Sequence, residues 1–357
     1  MMDLNNAAEF EKLDPMGVGK ALGLFLDQLR ESWEQAYATE VGTLAPRSIV
    51  ISGMGGSSLA GRIVASVFED NLAIPVFVHN GYDLPSWVDK NTLLIANSYS
   101  GNTEETVSSI KTAQNKGIEI LGIATGGIMG EMIDQKVING VILRPTTNPP
   151  KFPKSALGTS IGALLGLMSK AGLVKLTSEE FERSIEEIEK LRISWLPESK
   201  IDDNQAKRIA KVLFDKVPIL VSGRPLLGAT HASRNVLNEI GRTFSGYLDM
   251  PEMNHHTVEA IAYPKSASQM LNYVFIKSDL YNERTKLRFD ITVDLFDKQK
   301  VQNSWIKLQG KDALTQSLEL AHLFGWVAYY LSMLNGKDPG PEPYIIELKE
   351  ALSQPVH

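Results

Sequence analysis

The sequence predicts an α/β protein made of two αβα-sandwich subdomains with mainly parallel sheets. Three observations carry that reading: short β-branched runs alternate with stretches of helical period, the alternation recurs in the second half, and 357 residues suit two domains.

Taken in order, the first ~40 residues read as helix, because Leu22, Leu24, Phe25, Leu29 and Trp33 recur at helical spacing. RSIVIS, from Arg47, is the first strand; MGGSS is a glycine-serine loop, and LAGRIVASVFED has helical period. AIPVFVHN and TLLIANSYS are further strands, and the second runs into GNTEETVSSIKTAQNKG, a helix that Asn102 or Thr103 can cap above Glu104 and Glu105. EILGIAT and GVILRP complete a set of five strands with helices between them. NPPKFPKS (148–155) is polar and proline-rich, so we expect a boundary there: residues 1–153 form one subdomain and 154–357 the other, entered by a bridging helix from Ala156 through Lys170. SEEFERSIEEIEKL is a charged amphipathic helix that presents a solvated face. VPILVSG (217–223) is then a strand entering a glycine turn, followed by the helix LLGATHASRNVLNEIG. EAIAYP, MLNYVFIKS and DITVDLFD read as strands, with helices near 280–289, 312–334 and 342–353. The two halves resemble weak repeats, although the second has SGRPLLG where the first has SGMGGSS.

Composition narrows the function. With 43% hydrophobic and 22% charged residues and a mean hydropathy of −0.10, the chain is neither disordered nor fibrous. The 36 Lys and Arg against 42 Asp and Glu leave a net charge of −6 without a dense basic run, so nucleic acid is not an expected partner. The absence of cysteine excludes disulfides, thiolate metal sites and a cysteine nucleophile. The start, MMDLNNAAEF, has no basic segment followed by an apolar stretch, and GALLGLM (162–168) is too short for a membrane span; a cytoplasmic location without a membrane partner is expected.

The strongest local signal is Gly53, Gly55, Gly56, Ser57 and Ser58 between a strand and a helix. Glycines let backbone N–H groups turn toward an anion, hydroxyls add donors, and the helix dipole favours negative charge. Ser58 stands where a dinucleotide fingerprint needs its third glycine, and no Gly-Lys-Ser/Thr follows as in a Walker loop. Alone, such a loop is more often a plain turn. A second hydroxyl-rich loop, with Ser98, Ser100 and Thr103, ends a later strand, and strand ends of an open parallel sheet converge on one crevice. Helix capping accounts for one of these hydroxyls but not for all three.

The two loops, SGMGGS and SYSGNT, resemble the sugar isomerase (SIS) domain family, whose Ser/Thr-rich loops of the types S-G-x-G-x-S and S-x-S-G-x-T bind phosphosugars. LNEIGR, PEMNHH, and DP followed by ELK extend the resemblance to the bifunctional phosphoglucose/phosphomannose isomerases over nearly the whole chain. That resemblance implies a phosphate held by Gly55, Gly56, Ser57, Ser98, Ser100 and Thr103, with Glu239 as base, His255 as ring-opening histidine and Lys349 as C-terminal lysine. It also implies a hexose 6-phosphate substrate, a homodimer in which the histidine comes from the neighbouring subunit, and no cofactor. Lys154 stands where the family has an arginine beside the enediolate, Arg242 where it has lysine, and His256-Thr257 where it has Asn-Glu.

Residue chemistry runs parallel to the resemblance. Moving a proton between C1 and C2 of a sugar phosphate needs one carboxylate that reaches both carbons. Glu239 suits that task if burial raises its pKa; an ordinary helix-end glutamate is solvated or salt-bridged, and the residues alone favour that plainer reading. Histidine exchanges protons near neutrality, which suits ring opening at His255. Lys349, on an amphipathic helix, owes its assignment to the resemblance alone. No ligand spacing surrounds His255 and His256, so no metal site is expected; His79, His231 and His322 are read as structural, and His357 as a terminal residue. Two alternatives stay open: a non-catalytic phosphosugar sensor, and an amino-sugar phosphate isomerase, the latter without the glutamine-hydrolysing machinery that needs an N-terminal cysteine.

Overall fold

The computed structural model describes residues 2–352. Two parallel sheets form its frame. The first contains β1 (Ser48–Ser52), β2 (Val76–His79), β3 (Thr92–Ser98), β4 (Glu119–Ala124) and β5 (Asn139–Ile142), in the order β2-β1-β3-β4-β5. The second contains β6 (Val217–Ser222), β7 (Gly246–Asp249), β8 (Leu271–Lys277) and β9 (Asn303–Lys307), in the order β7-β6-β8-β9. The same order therefore opens both sheets, and the weak repeat seen in the sequence is a repeat of topology. In the first sheet β1 and β3 are neighbours with Ile49 opposite Leu93 and Ser52 opposite Ala96. The chain winds outward from that pair in both directions, so the crevice between their carboxyl ends is the switch point where ligands of open α/β sheets bind.

Helices cover both faces, as parallel strands buried on two sides require. Every residue of β3 is buried. The helix Ala313–Leu334 is buried from Leu314 to its end, so it has no solvent face and sits within the core shared by the two halves. The bridging helix Leu157–Lys170 packs closely on Phe25–Tyr37. Its glycines make that approach feasible: a Cβ on Gly158 would lie 2.6 Å from the Phe25 carbonyl oxygen, and one on Gly166 2.7 Å from that of Trp33. Alanine at either position would force the helices apart. Among the described residues no helix is long and apolar enough to cross a membrane.

Two sequence expectations need correction. EAIAYP is not a strand; its first residues end the short helix Thr257–Ala260. DITVDLFD is not a strand either, but part of the helix Glu283–Lys298. Its Ile, Thr, Val and Phe suggest β structure, yet the residues that bury are Phe289, Thr292 and Phe296, at helical intervals. The strands that flank β6 and β8 are instead β7 and β9, where Tyr247 and Trp305 remain exposed and the apolar runs are short. The N-terminal stretch is three helices, Ala7–Leu13, Val18–Gly23 and Phe25–Tyr37, interrupted at Gly17 in the left-handed conformation (φ 76°) and at Leu24. The helix Ser178–Arg192 turns charge to solvent and buries Phe181, Ile185 and Ile188.

Candidate active site

The two hydroxyl-rich turns lie at the carboxyl ends of β1 and β3. Gly55 takes φ 51° as the helix Gly55–Phe68 begins, so its first N–H groups face outward from the helix end without an intrahelical partner. Ser57 is buried, and its Oγ accepts a hydrogen bond from the Tyr99 N–H at 3.2 Å. Asn97 Nδ2 donates to the Ser57 carbonyl at 3.0 Å, and Gly53 passes so close to β3 that a Cβ would lie 2.7 Å from the Asn97 carbonyl oxygen. These contacts lock the first turn to the second.

In the second turn the Ser98 and Thr103 hydroxyls share a 2.8 Å hydrogen bond, and the Gly101 N–H donates to Ser98 Oγ at 3.1 Å. Thr103 occupies the N-cap position of Glu104–Asn115 but makes no side-chain cap bond. Its hydroxyl is directed to Ser98 instead. Ser100 is exposed and accepts from the Asn102 N–H at 3.3 Å.

Glu239 is the last residue of the helix Leu227–Glu239, which crosses Gly55–Phe68 where Gly228 meets the backbone of Arg62. Its carboxyl faces a cleft of about 800 Å³ shared with Asn238, Arg242, Asp338, Glu342 and Tyr344. Burial, reinforced by the nearby Glu342 charge, pushes that carboxyl up to about 7 against the opposing pull of Lys154, Arg234 and Arg242. A carboxyl there is half-ionised near neutrality. It has the protonation behaviour of a general base.

Lys154 does not line the cleft itself but contacts Glu342, which does. It lies in the 3₁₀ turn Pro153–Ser155, and the Pro153 carbonyl is 3.4 Å from the position a Cβ of Gly56 would take. The Lys154 side chain is buried, its Nζ donates to the Gly340 carbonyl at 2.6 Å, and the Glu342 carboxylate is 3.5 Å away. Burial lowers the lysine's pKa, and Glu342 opposes that shift. Arg242, at φ 52°, donates to the carbonyls of Glu239 (2.8 Å), Asp338 (3.2 Å) and Pro341. Left-handed backbone at a non-glycine residue costs about 1–2 kcal/mol; the three carbonyl contacts offset it. Two cations therefore clasp the segment 338–342 over Glu239.

The remaining predicted residues, the six of the phosphate turns included, do not line this cleft in the single chain. His255 ends the short 3₁₀ helix Glu252–His255 and is exposed, as is His256, whose Nδ1 lies 2.7 Å from Thr257 Oγ1. Lys349 is exposed on the helix Pro343–Leu352, which buries none of its residues. Neither His255 nor Lys349 lines the Glu239 cleft. His322 is buried between the rings of Phe25 and Trp195, with Nε2 3.0 Å from the Leu22 carbonyl oxygen, and burial drives its pKa down to about 3. His231 Nε2 lies 2.7 Å from Arg234, and its pKa falls to about 4 through burial and the neighbouring arginines. His357 lies outside the described residues. Among the described residues no three His, Asp or Glu side chains group as a metal site.

Sequence reasoning missed Glu342 and Asn97. Glu342 is flanked by prolines in PGPEP, and Asn97 is a polar residue in the otherwise apolar TLLIANS; both irregularities were visible signals.

Comparison with known proteins gives the site a context. The SIS domain model matches residues 45–129, and the model of the bacterial phospho-glucose isomerase C-terminal SIS domain matches 202–352. A bifunctional phosphoglucose/phosphomannose isomerase of Caldicellulosiruptor bescii is 31% identical, covering 92% of this chain and 96% of that protein. One of Aquifex aeolicus is 29% identical over 86% of this chain and 91% of its own. The solved structure of a glucose-6-phosphate isomerase-like protein from Thermus thermophilus superposes with a TM-score of 0.63 at 18% identity, covering 98% and 99% of the two chains.

Proposed function

The chain belongs to the bifunctional phosphoglucose/phosphomannose isomerase family, and from that premise we propose how its residues interconvert an aldose and a ketose hexose 6-phosphate. Glucose 6-phosphate and fructose 6-phosphate are the first pair to test, and mannose 6-phosphate is the second aldose. The observation that carries the assignment of roles is the position of Glu239, a half-buried carboxyl beside Lys154, whose turn adjoins the glycine-serine loop through Gly56.

In this reading the N–H groups at Gly55 and Gly56 and the hydroxyls of Ser57, Ser98, Ser100 and Thr103 hold the phosphate. His255, presented by a second copy of the chain in a homodimer, moves a proton between the C1 hydroxyl and the ring oxygen, with Lys349 assisting, and the ring opens. The Glu239 carboxylate then removes the C2 proton. The electron pair of that C–H bond forms the C1–C2 double bond, and the C1 carbonyl oxygen takes up negative charge as a cis-enediolate. Lys154 faces that charge as a fixed cation. The C2 hydroxyl proton passes to the C1 oxygen, Glu239 returns its proton to C1, and the C2 oxygen becomes the ketose carbonyl.

The division into residues 1–153, which carry the phosphate turns, and 154–357, which carry the base, belongs to the same proposal, as does a cytoplasmic location. The deciding experiment is a coupled assay of the purified chain with glucose 6-phosphate and mannose 6-phosphate in parallel, with chelator present. Turnover of either substrate is expected; no turnover of both would overturn the reading.

A further inference from the structure

We propose that Glu342 is a positioning residue of the isomerisation, which holds the Lys154 ammonium charged and fixed near Glu239. The inference rests on the isomerase reading and adds a residue to it. Three observations converge on Glu342. Its carboxylate lies 3.5 Å from Lys154 Nζ, and its side chain retains only 22% of its exposure while that of Lys154 retains 2%. The same ammonium donates to the Gly340 carbonyl at 2.6 Å, so the lysine meets the segment at two points, one neutral and one charged. Arg242 fixes the segment from the other side through the carbonyls of Asp338 and Pro341, which leaves Glu342 little freedom to swing away.

A buried lysine without a counter-charge tends to lose its proton. A neutral amine at this place would give nothing to an oxyanion. Glu342 supplies the opposing charge, and a carboxylate on this segment also acts on Glu239, whose charged neighbours are Glu342, Lys154, Arg234 and Arg242. It makes the base harder to ionise and therefore stronger once ionised. One carboxylate thus acts on both the base and the cation that faces the enediolate.

The test is Glu342→Gln, which keeps the side-chain shape and removes the charge, with Glu342→Asp as the conservative variant. Glu342→Gln is expected to lower kcat about tenfold, leave KM within about twofold and move the acid limb of kcat/KM to lower pH. Glu342→Asp should recover most of kcat. In parallel, ¹³C-glutamate NMR on the free protein, with Glu239→Gln assigning the resonance, should show the Glu239 titration midpoint falling in Glu342→Gln. An unmoved midpoint, or equal losses in kcat and thermal stability with an unmoved acid limb, would overturn the proposal. The NMR measurement needs no substrate, so it separates this failure from that of the isomerase reading, which shows as a wild-type chain inactive on both aldoses.

Discussion

Ser57 and Tyr99 belong to different strand-to-helix turns, yet the Tyr99 N–H donates to Ser57 Oγ at 3.2 Å and ties the two turns together. The proposed anion site draws Gly55, Gly56 and Ser57 from the first turn and Ser98, Ser100 and Thr103 from the second. A hydrogen bond to a charged group contributes about 1.5 kcal/mol, so Ser98→Ala with Ser100→Ala should raise KM roughly a hundredfold. Steady-state kinetics and calorimetric titration with hexose 6-phosphate check this. Unchanged affinity would mean that the anion sits elsewhere.

Glu239→Gln should lower kcat by about 10²–10⁴-fold while the phosphosugar still binds. The assay and a binding titration together separate the two effects. A variant that keeps most of its kcat would remove Glu239 from the base role.

The same carboxyl predicts two opposite pH trends. Its native pKa of about 7 lies above the ordinary 4.5, so between those values the folded chain keeps a proton that the unfolded chain has lost. Its contribution to stability is therefore full below pH 4.5 and is lost as pH rises to about 7, by at most roughly 3 kcal/mol. Activity, which needs the ionised form, rises through the upper part of the window. Glu239→Gln should melt above wild type at pH 8 and match it at pH 4, as followed by calorimetry at both pH values.

Lys154→Met fills the same buried slot without charge. It should cost about 10²-fold in kcat with a smaller effect on KM, because the enediolate carries charge that the bound sugar lacks. Equal changes in the two constants would assign Lys154 to substrate binding instead.

His255 and Glu239 do not share a cleft within one chain. If the histidine comes from a second copy, a mixture of inactive Glu239→Gln and His255→Ala chains, unfolded and refolded together, should regain about a quarter of wild-type activity through mixed dimers with one intact site. A mixture that stays inactive would place both residues in one subunit's site.

Much of this was legible in the sequence, and the reasons differ by element. The five strands of the first sheet are continuous apolar runs bounded by turns, the strongest signal a parallel sheet gives. Glu283–Lys298 was misread because local composition pointed to strand while tertiary burial selected a helical stripe. The phosphate turns were visible because glycine and serine at fixed offsets have a mechanical purpose in such a loop. The surroundings of Glu239 were not: Lys154 and Glu342 meet only after the chain has built both sheets, and no local pattern records that meeting.

The helix Ala313–Leu334 turns no side toward water beyond its first residue. Either half produced alone would expose an apolar surface or strip this rod of its wrapping, so the two units, alike in winding, are inseparable as folding partners. A half-length protein of this pattern could stand only by borrowing cover from a twin.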